Sequence, residues 1–144
     1  MCIRDRFIGA FNFIEASGGV SVGEGVQITH HVSIVTHSSH RAMRLLGRAY
    51  VTWPTGEPRP GWVAAPVHIG PWCFIGPHSL LEPGTRLGRG CIVRAGSVLR
   101  GDYPEHAVIA GNPAAITAVR TLASPATWPH TSEPAAAPPI SAIW

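Results

Sequence analysis

The stretch VHIGPWCFIGPHSLLEPGTRLGRGCIVRAGSVLR, residues 67–100, counts in sixes. Ile69, Ile75, Leu81, Leu87, Val93 and Leu99 stand six positions apart. Two positions before each lies a small or β-branched residue: Val67, Cys73, Ser79, Thr85, Cys91 and Ser97. Gly70, Gly76 and Gly88 directly follow three of the aliphatics. Neither a 3.6-residue helix nor a long alternating strand has this period. A short strand followed by a turn does, when three such units close one triangular coil. Each aliphatic then points inward, and glycine relieves the crowded corner. Three hexads make an 18-residue coil, and successive coils stack at about 4.8 Å, the ordinary interstrand spacing.

The same register runs earlier through Val22, Ile28 and Ile34, preceded by Val20, Val26 and Val32. A weaker copy begins at Ile8 and Ile14, with two extra residues before Val22. Nine hexads in register argue against a chance arrangement of Gly-rich sandwich strands. The sequence therefore predicts an all-β chain, a parallel β-helix with two full coils over 67–102 and one more over 20–37. Each coil buries its inner face only against its neighbours, so stability is quasi-one-dimensional. Cys73 and Cys91 lie 18 positions apart and are expected to stack as small buried residues. A truncated first coil would leave an open strand edge.

The count stops at SIVTHSSHRAMR, residues 33–44. From Ile34 to Ile69 is 35 positions, which is no multiple of six, so residues 38–66 are expected to leave the coil as one loop. Pro54, Pro58, Pro60, Gly56 and Gly61 give it an irregular character, with one helical turn around residues 41–46. Trp53 and Trp62 either line a ligand surface or pin the loop to the wall of the helix.

The totals fit one domain of 144 residues. With 13% charged residues, 16 Gly and 14 Pro, the composition favours turn-rich β structure. The net charge of +3 comes without clustered Lys and Arg among aromatics, which argues against a nucleic-acid binder. No apolar run approaches the roughly 18–20 residues of a membrane span. Three cysteines outside any metal-type spacing point to a reduced, cytoplasmic chain. The opening MCIRDR (1–6) reads as a translated adaptor scar and is set aside, which makes the chain an expected fragment with its domain at 7–120. Residues 121–144, rich in Pro and Ala, read as a flexible tail.

Three segments carry a family resemblance over roughly residues 7–116: FIEASGGVSVGEGV (13–26), the run 73–114, and within it the closing IAGNPA (109–114). The chain resembles the hexapeptide-repeat acyltransferases, and among them the maltose, galactoside, nodulation-factor and polysaccharide O-acetyltransferases. The resemblance implies a left-handed coil, an exception to the right-handed rule for parallel crossovers. It also implies a homotrimer, acetyl-CoA as acyl donor, and a histidine at the base of the extruded loop as general base. That histidine usually follows a Thr by two or three residues. In Thr36-His37-Ser38-Ser39-His40 an ungapped reading puts Ser39 there. A one-residue change in loop length restores His40, the preferred candidate, with His37 as runner-up.

By position, the resemblance carries CoA contacts onto Ala95, Gly96, Ser97, Gly111, Asn112 and Pro113. This chain departs from the usual pattern at Arg94, Arg100 and Gly101, so the cation for the nucleotide phosphates falls to Arg100, with Arg120 as another possibility. Phe74 stands where the family often has Trp. Asn12 and Glu15 are acceptor-side candidates, and Trp53 and Trp62 could face a sugar or the pantetheine arm. His30 and His31 fall at a coil corner, and His68, His78 and His106 at outward positions. Zinc enzymes of this fold carry two histidines five apart, a spacing absent here, so no metal is expected. The function implied is acetyl-CoA-dependent O-acetylation of a sugar, glycan or related acceptor. The alternatives are N-acetylation of an amino sugar and a non-catalytic structural β-helix or inactive fragment.

Overall fold

The computed structural model describes residues 2–3 and 5–120, so the tail expected at 121–144 lies outside the described residues. Short strands place one side chain outward and the next inward, and each pairs in parallel with the strand one coil away. Phe74 faces Ile92, Leu80 faces Val98 and His68 faces Arg86, each a shift of 18 residues. Three faces result. The first holds Arg6–Ile8, Gln27–Ile28, Phe74–Ile75, Ile92–Val93 and Ala107–Gly111, with antiparallel strands Cys2–Ile3 and Ala114–Val119 at its two ends. The second holds Phe13–Ile14, Ser33–Ile34, Leu80–Leu81 and Val98–Leu99. The third holds Val20–Val22, Val67–Ile69, Arg86–Leu87 and Asp102–Tyr103. This is the β-helix the hexads predict.

The inward hexad residues form its core. Ile28, Ile34, Ile69, Ile75, Leu81, Leu87, Val93 and Leu99 are all buried. The small positions two residues earlier are buried too, and their polar atoms are satisfied within or across coils. Thr85 Oγ1 donates to Leu99 O at 3.0 Å, and Ser79 Oγ donates to Arg94 O at 3.2 Å. Cys73 and Cys91 are free, buried thiols, donating to the carbonyls of Gly88 and Pro104.

Three coils depart from 18. Phe7 faces Gln27, a shift of 20, because of the two extra residues before Val22. Arg86 faces Asp102, a shift of 16, and the larger Tyr103 takes the inward place that an aliphatic holds elsewhere. Val20 faces Val67, a shift of 47, so 29 residues beyond the regular 18 leave the coil. At the root of this loop His37–Ser38 pairs antiparallel with Val63–Ala64. The loop then forms helix His40–Leu46 and a 3-10 turn Gly47–Tyr50, more helix than the single turn expected. Ala42 is the helix's buried residue. The returning chain crosses it at Gly61 (φ 76°), where a Cβ would stand 2.8 Å from Leu45 Cδ1 and 2.9 Å from Ala42 N. Only glycine fits that crossing.

Two features add to the sequence reading. Asp5 and Arg6, set aside with the first six residues, bond the coil: Gly25 N donates to Asp5 Oδ2 and Arg6 Nε donates to Gly23 O. The corner histidines are also more than surface decoration. Phe11, His31 and His78 adopt left-handed backbone with φ of 57–59° and stack ring on ring, at 5.2 and 4.9 Å, close to the coil spacing.

Candidate active site

One corner of the triangle, between the second and third faces, gathers the polar chemistry. Backbone hydrogen bonds stack its residues coil upon coil: Glu15 N donates to Ile34 O, Val35 N to Leu81 O, and Glu82 N to Leu99 O. Glu15, Val35, Glu82 and Arg100 thus form a column, and the loop leaves from it just past Val35.

The Glu15 carboxylate organises the root of the loop. Its Oε2 accepts from Thr36 N at 3.0 Å and Thr36 Oγ1 at 2.7 Å, and lies 2.9 Å from His37 Nδ1. Its Oε1 accepts from Ser17 N at 2.8 Å. Hydrogen bonds from Ser17 first, then Thr36, hold the Glu15 carboxyl well below the usual carboxylate range. With Nδ1–H donated to Glu15, His37 presents Nε2 as a lone-pair base. Ser17 Oγ stands 3.3 Å from the same Nδ1. The imidazole stacks on Trp62 at 4.9 Å and 12°, which fixes the ring plane. In turn Arg59 lies 4.4 Å from the centroid of the Tyr50 ring and 5.7 Å from that of Trp62.

His40 has a different setting. Its Nδ1 lies 2.7 Å from Ser38 Oγ, and it borders a small cavity of about 70 Å³ together with Val63, Glu82, Pro83 and Arg100. The structure therefore brings His40 to Arg100, and His37 to Glu15. Ala95, Gly96 and Ser97 lie at another corner, between the first and second faces, and Gly111, Asn112 and Pro113 follow one coil on, where Arg94 N donates to Ile109 O. A Cβ on Gly96 would meet nothing, so this corner offers an open backbone edge. Strand Val98–Leu99 separates it from Arg100. Asn12 spends both ends of its amide on the coil, accepting from Val32 N and donating to Gly9 O. Arg120 lies at the end of the antiparallel cap, its N–H bonded to His106 O. Among the described residues no three His, Cys, Asp or Glu side chains gather as a metal-ligand set.

Sequence reasoning did not single out Ser17, Tyr50, Arg59 or Glu82. For Ser17 the signal was present. The first coil is two residues longer than the regular 18, so Phe13 faces Ser33 at a shift of 20, and the same shift carries Ser17 to His37. The loop residues gave no such signal, since their packing follows no period.

Residues 66–101 match the bacterial transferase hexapeptide profile of six repeats. This segment carries the hexapeptide repeat of bacterial transferases. The galactoside O-acetyltransferase of Escherichia coli K12 is 30% identical over 96 residues, 65% of this chain and 41% of that protein. An acetyltransferase candidate of Staphylococcus aureus (strain COL) is 42% identical over 50 residues, 35% of this chain and 25% of that protein. Among solved structures, a galactoside acetyltransferase in complex with coenzyme A superposes with a TM-score of 0.60 at 24% identity, covering 81% of this chain and 56% of that one. An N-acyltransferase from Bacillus cereus in complex with dTDP and coenzyme A gives 0.67 at 21% identity, covering 81% and 61%. This hexapeptide chain thus spans a quarter to two-fifths of the length of these two curated relatives. With the repeat profile, the fold likeness makes its coil a left-handed β-helix. Among the described residues no helix is long and apolar enough to cross a membrane.

Proposed function

We propose that this hexapeptide chain transfers an acetyl group from acetyl-CoA to a hydroxyl of a carbohydrate-type acceptor, with His37 as general base. The observation that carries this reading is the 2.9 Å contact between Glu15 and His37 Nδ1. It leaves Nε2 to take the acceptor's proton as the hydroxyl oxygen attacks the thioester carbonyl. The tetrahedral oxyanion then collapses, the C–S bond breaks, and the CoA thiolate recovers the proton from His37. Glu15 acts as a positioning residue, holding the tautomer and stabilising the imidazolium between the two steps. This reverses the order drawn from the sequence, because His40 has only the Ser38 hydroxyl for a partner among the described contacts.

The acyl donor is assigned to the open corner formed by Ala95–Ser97 and Gly111–Pro113. That corner is one face away from His37 on the same chain, a separation that a neighbouring copy would bridge. The outward rows support such an assembly. Leu80 and Val98 on the second face, and Phe74 and Ile92 on the first, are apolar; the third face carries Ser21, His68, Arg86 and Asp102. A homotrimer burying the first two faces and leaving the third in water fits this contrast.

The deciding experiment is calorimetric titration of acetyl-CoA with the mass measured by light scattering, followed by turnover on hydroxyl and amine acceptors. One site per chain in a trimer, with hydroxyl acetylation abolished in His37→Ala, supports the reading. A trimer that ignores acetyl-CoA would overturn it, and turnover on amines alone would move the chemistry to N-acetylation.

A further inference from the structure

Beyond His37, the loop holds a cation that no other described side chain neutralises. Among the described residues the ion pairs are Asp5 with Arg6, Glu15 with His37, and Arg86 with Asp102; Arg59 belongs to none. Its guanidinium is instead held by aromatic faces, over Tyr50 and beside Trp62. Arg59 Nε is buried without a hydrogen-bond partner, as is Trp53 Nε1 in the same loop. Buried donors of this kind are rare in folded chains and usually find an acceptor atom. Here two lie six residues apart.

Arg59 and Trp62 border an open depression of about 330 Å³ formed at the turns Pro54–Glu57 and Arg59–Trp62. That volume is within the range of small-molecule sites. Trp62 is 40% exposed, and its ring is the one that stacks on His37. The cation and the proposed base are therefore joined through a single indole. A ligand with an anionic group at Arg59 and an apolar ring face against Trp62 would sit beside the indole that packs on His37. Glu57 borders the same depression and suits sugar hydroxyls as donors, while repelling a second negative group.

We propose that the Arg59–Trp62 cup, its guanidinium backed by Tyr50, is the acceptor subsite and selects a carbohydrate bearing one carboxylate or phosphate. This rests on the acyl-transfer reading for its role, but the binding itself does not. The test titrates glucuronate, glucose 6-phosphate and glucose into the full chain saturated with CoA, then repeats the series with Arg59→Gln and Arg59→Lys. At least one anionic sugar is expected to bind at least about tenfold more tightly than glucose, since a good charge-assisted contact supplies that much. Arg59→Gln should erase the difference, Arg59→Lys should keep part of it, and added salt should narrow it. Carboxylate and phosphate sources are separated by which of the two sugars gains. In turnover, Arg59→Gln should raise KM for the anionic acceptor with kcat little changed, whereas His37→Ala should lower kcat.

Equal affinity for all three sugars, or no binding by any, would overturn the proposal. So would an Arg59→Gln chain that loses affinity for CoA instead of acceptor, since Arg59 would then serve the donor's phosphates. An Arg59-dependent preference for the anion in a chain without turnover would leave the subsite standing and remove the acyl-transfer reading. Arg59→Lys guards against a Gln variant that merely unfolds the cup, because Lys keeps the charge over Tyr50.

Discussion

Acidification probes the Glu15–His37 contact from the side of the carboxylate. Glu15 has a folded pKa below its ordinary value of 4.5, so its contribution to stability is present above about pH 4.5 and is lost as pH falls further. A Glu15→Gln chain should therefore show a flatter acid limb in a melting series from pH 6 to 3. The same variant should lose about 10- to 100-fold in kcat with acetyl-CoA affinity unchanged, as is typical when an orienting partner is removed. His37→Ala should cost about 10²–10⁴-fold. Steady-state rates of His37→Ala and His40→Ala, measured side by side, check the assignment: the larger loss in His40→Ala would return the base to that residue. From sequence His40 ranked above His37 for a physical reason. What separates them is a carboxylate on the preceding coil and an indole on the returning loop, and neither is a neighbour along the chain.

The short strand-and-turn hexad was the most legible element, because an inward aliphatic every six residues can be counted without knowing what it packs against. It depends on the close approach of coils at the corners. At Gly76 an added Cβ would stand 2.6 Å from Ala95 N and 2.7 Å from Val93 O. Both are backbone atoms that cannot swing aside, so Gly76→Ala should lower stability by about 1–3 kcal/mol in denaturant unfolding. The 16-residue coil that ends at Asp102–Tyr103 was not legible, since Tyr103 breaks the aliphatic series and its ring fills the inward place from a different spacing. The loop was located by the missing count but not shaped by it. Its helix, its crossing at Gly61 and the aromatic grip on Arg59 come from packing that no repeat encodes.

At the scale of the whole molecule the contrast between faces predicts which surface substitutions matter. Leu80→Glu, on an apolar outward row, should shift the mass measured by light scattering from the proposed trimer to the monomer. Arg86→Glu, on the polar third face, should leave the mass unchanged. If both chains keep the same mass, the second face is not an interface. The loop, by contrast, is additional to the coil, because the strands on either side of it keep the register of their neighbours.

The corner column also sets an order of failure. Glu15 follows strand Phe13–Ile14, which has one sheet neighbour and whose residues are 60% and 42% exposed; Thr36 and His37 follow Ser33–Ile34, which is paired on both sides. A strand bonded to one neighbour opens before a strand bonded on both sides. Warming should detach the carboxylate from the imidazole while the rest of the coil still scatters and absorbs as a folded protein. The chain would then stop working several degrees before it melts and recover on cooling, this singly paired strand serving as a reversible thermal fuse.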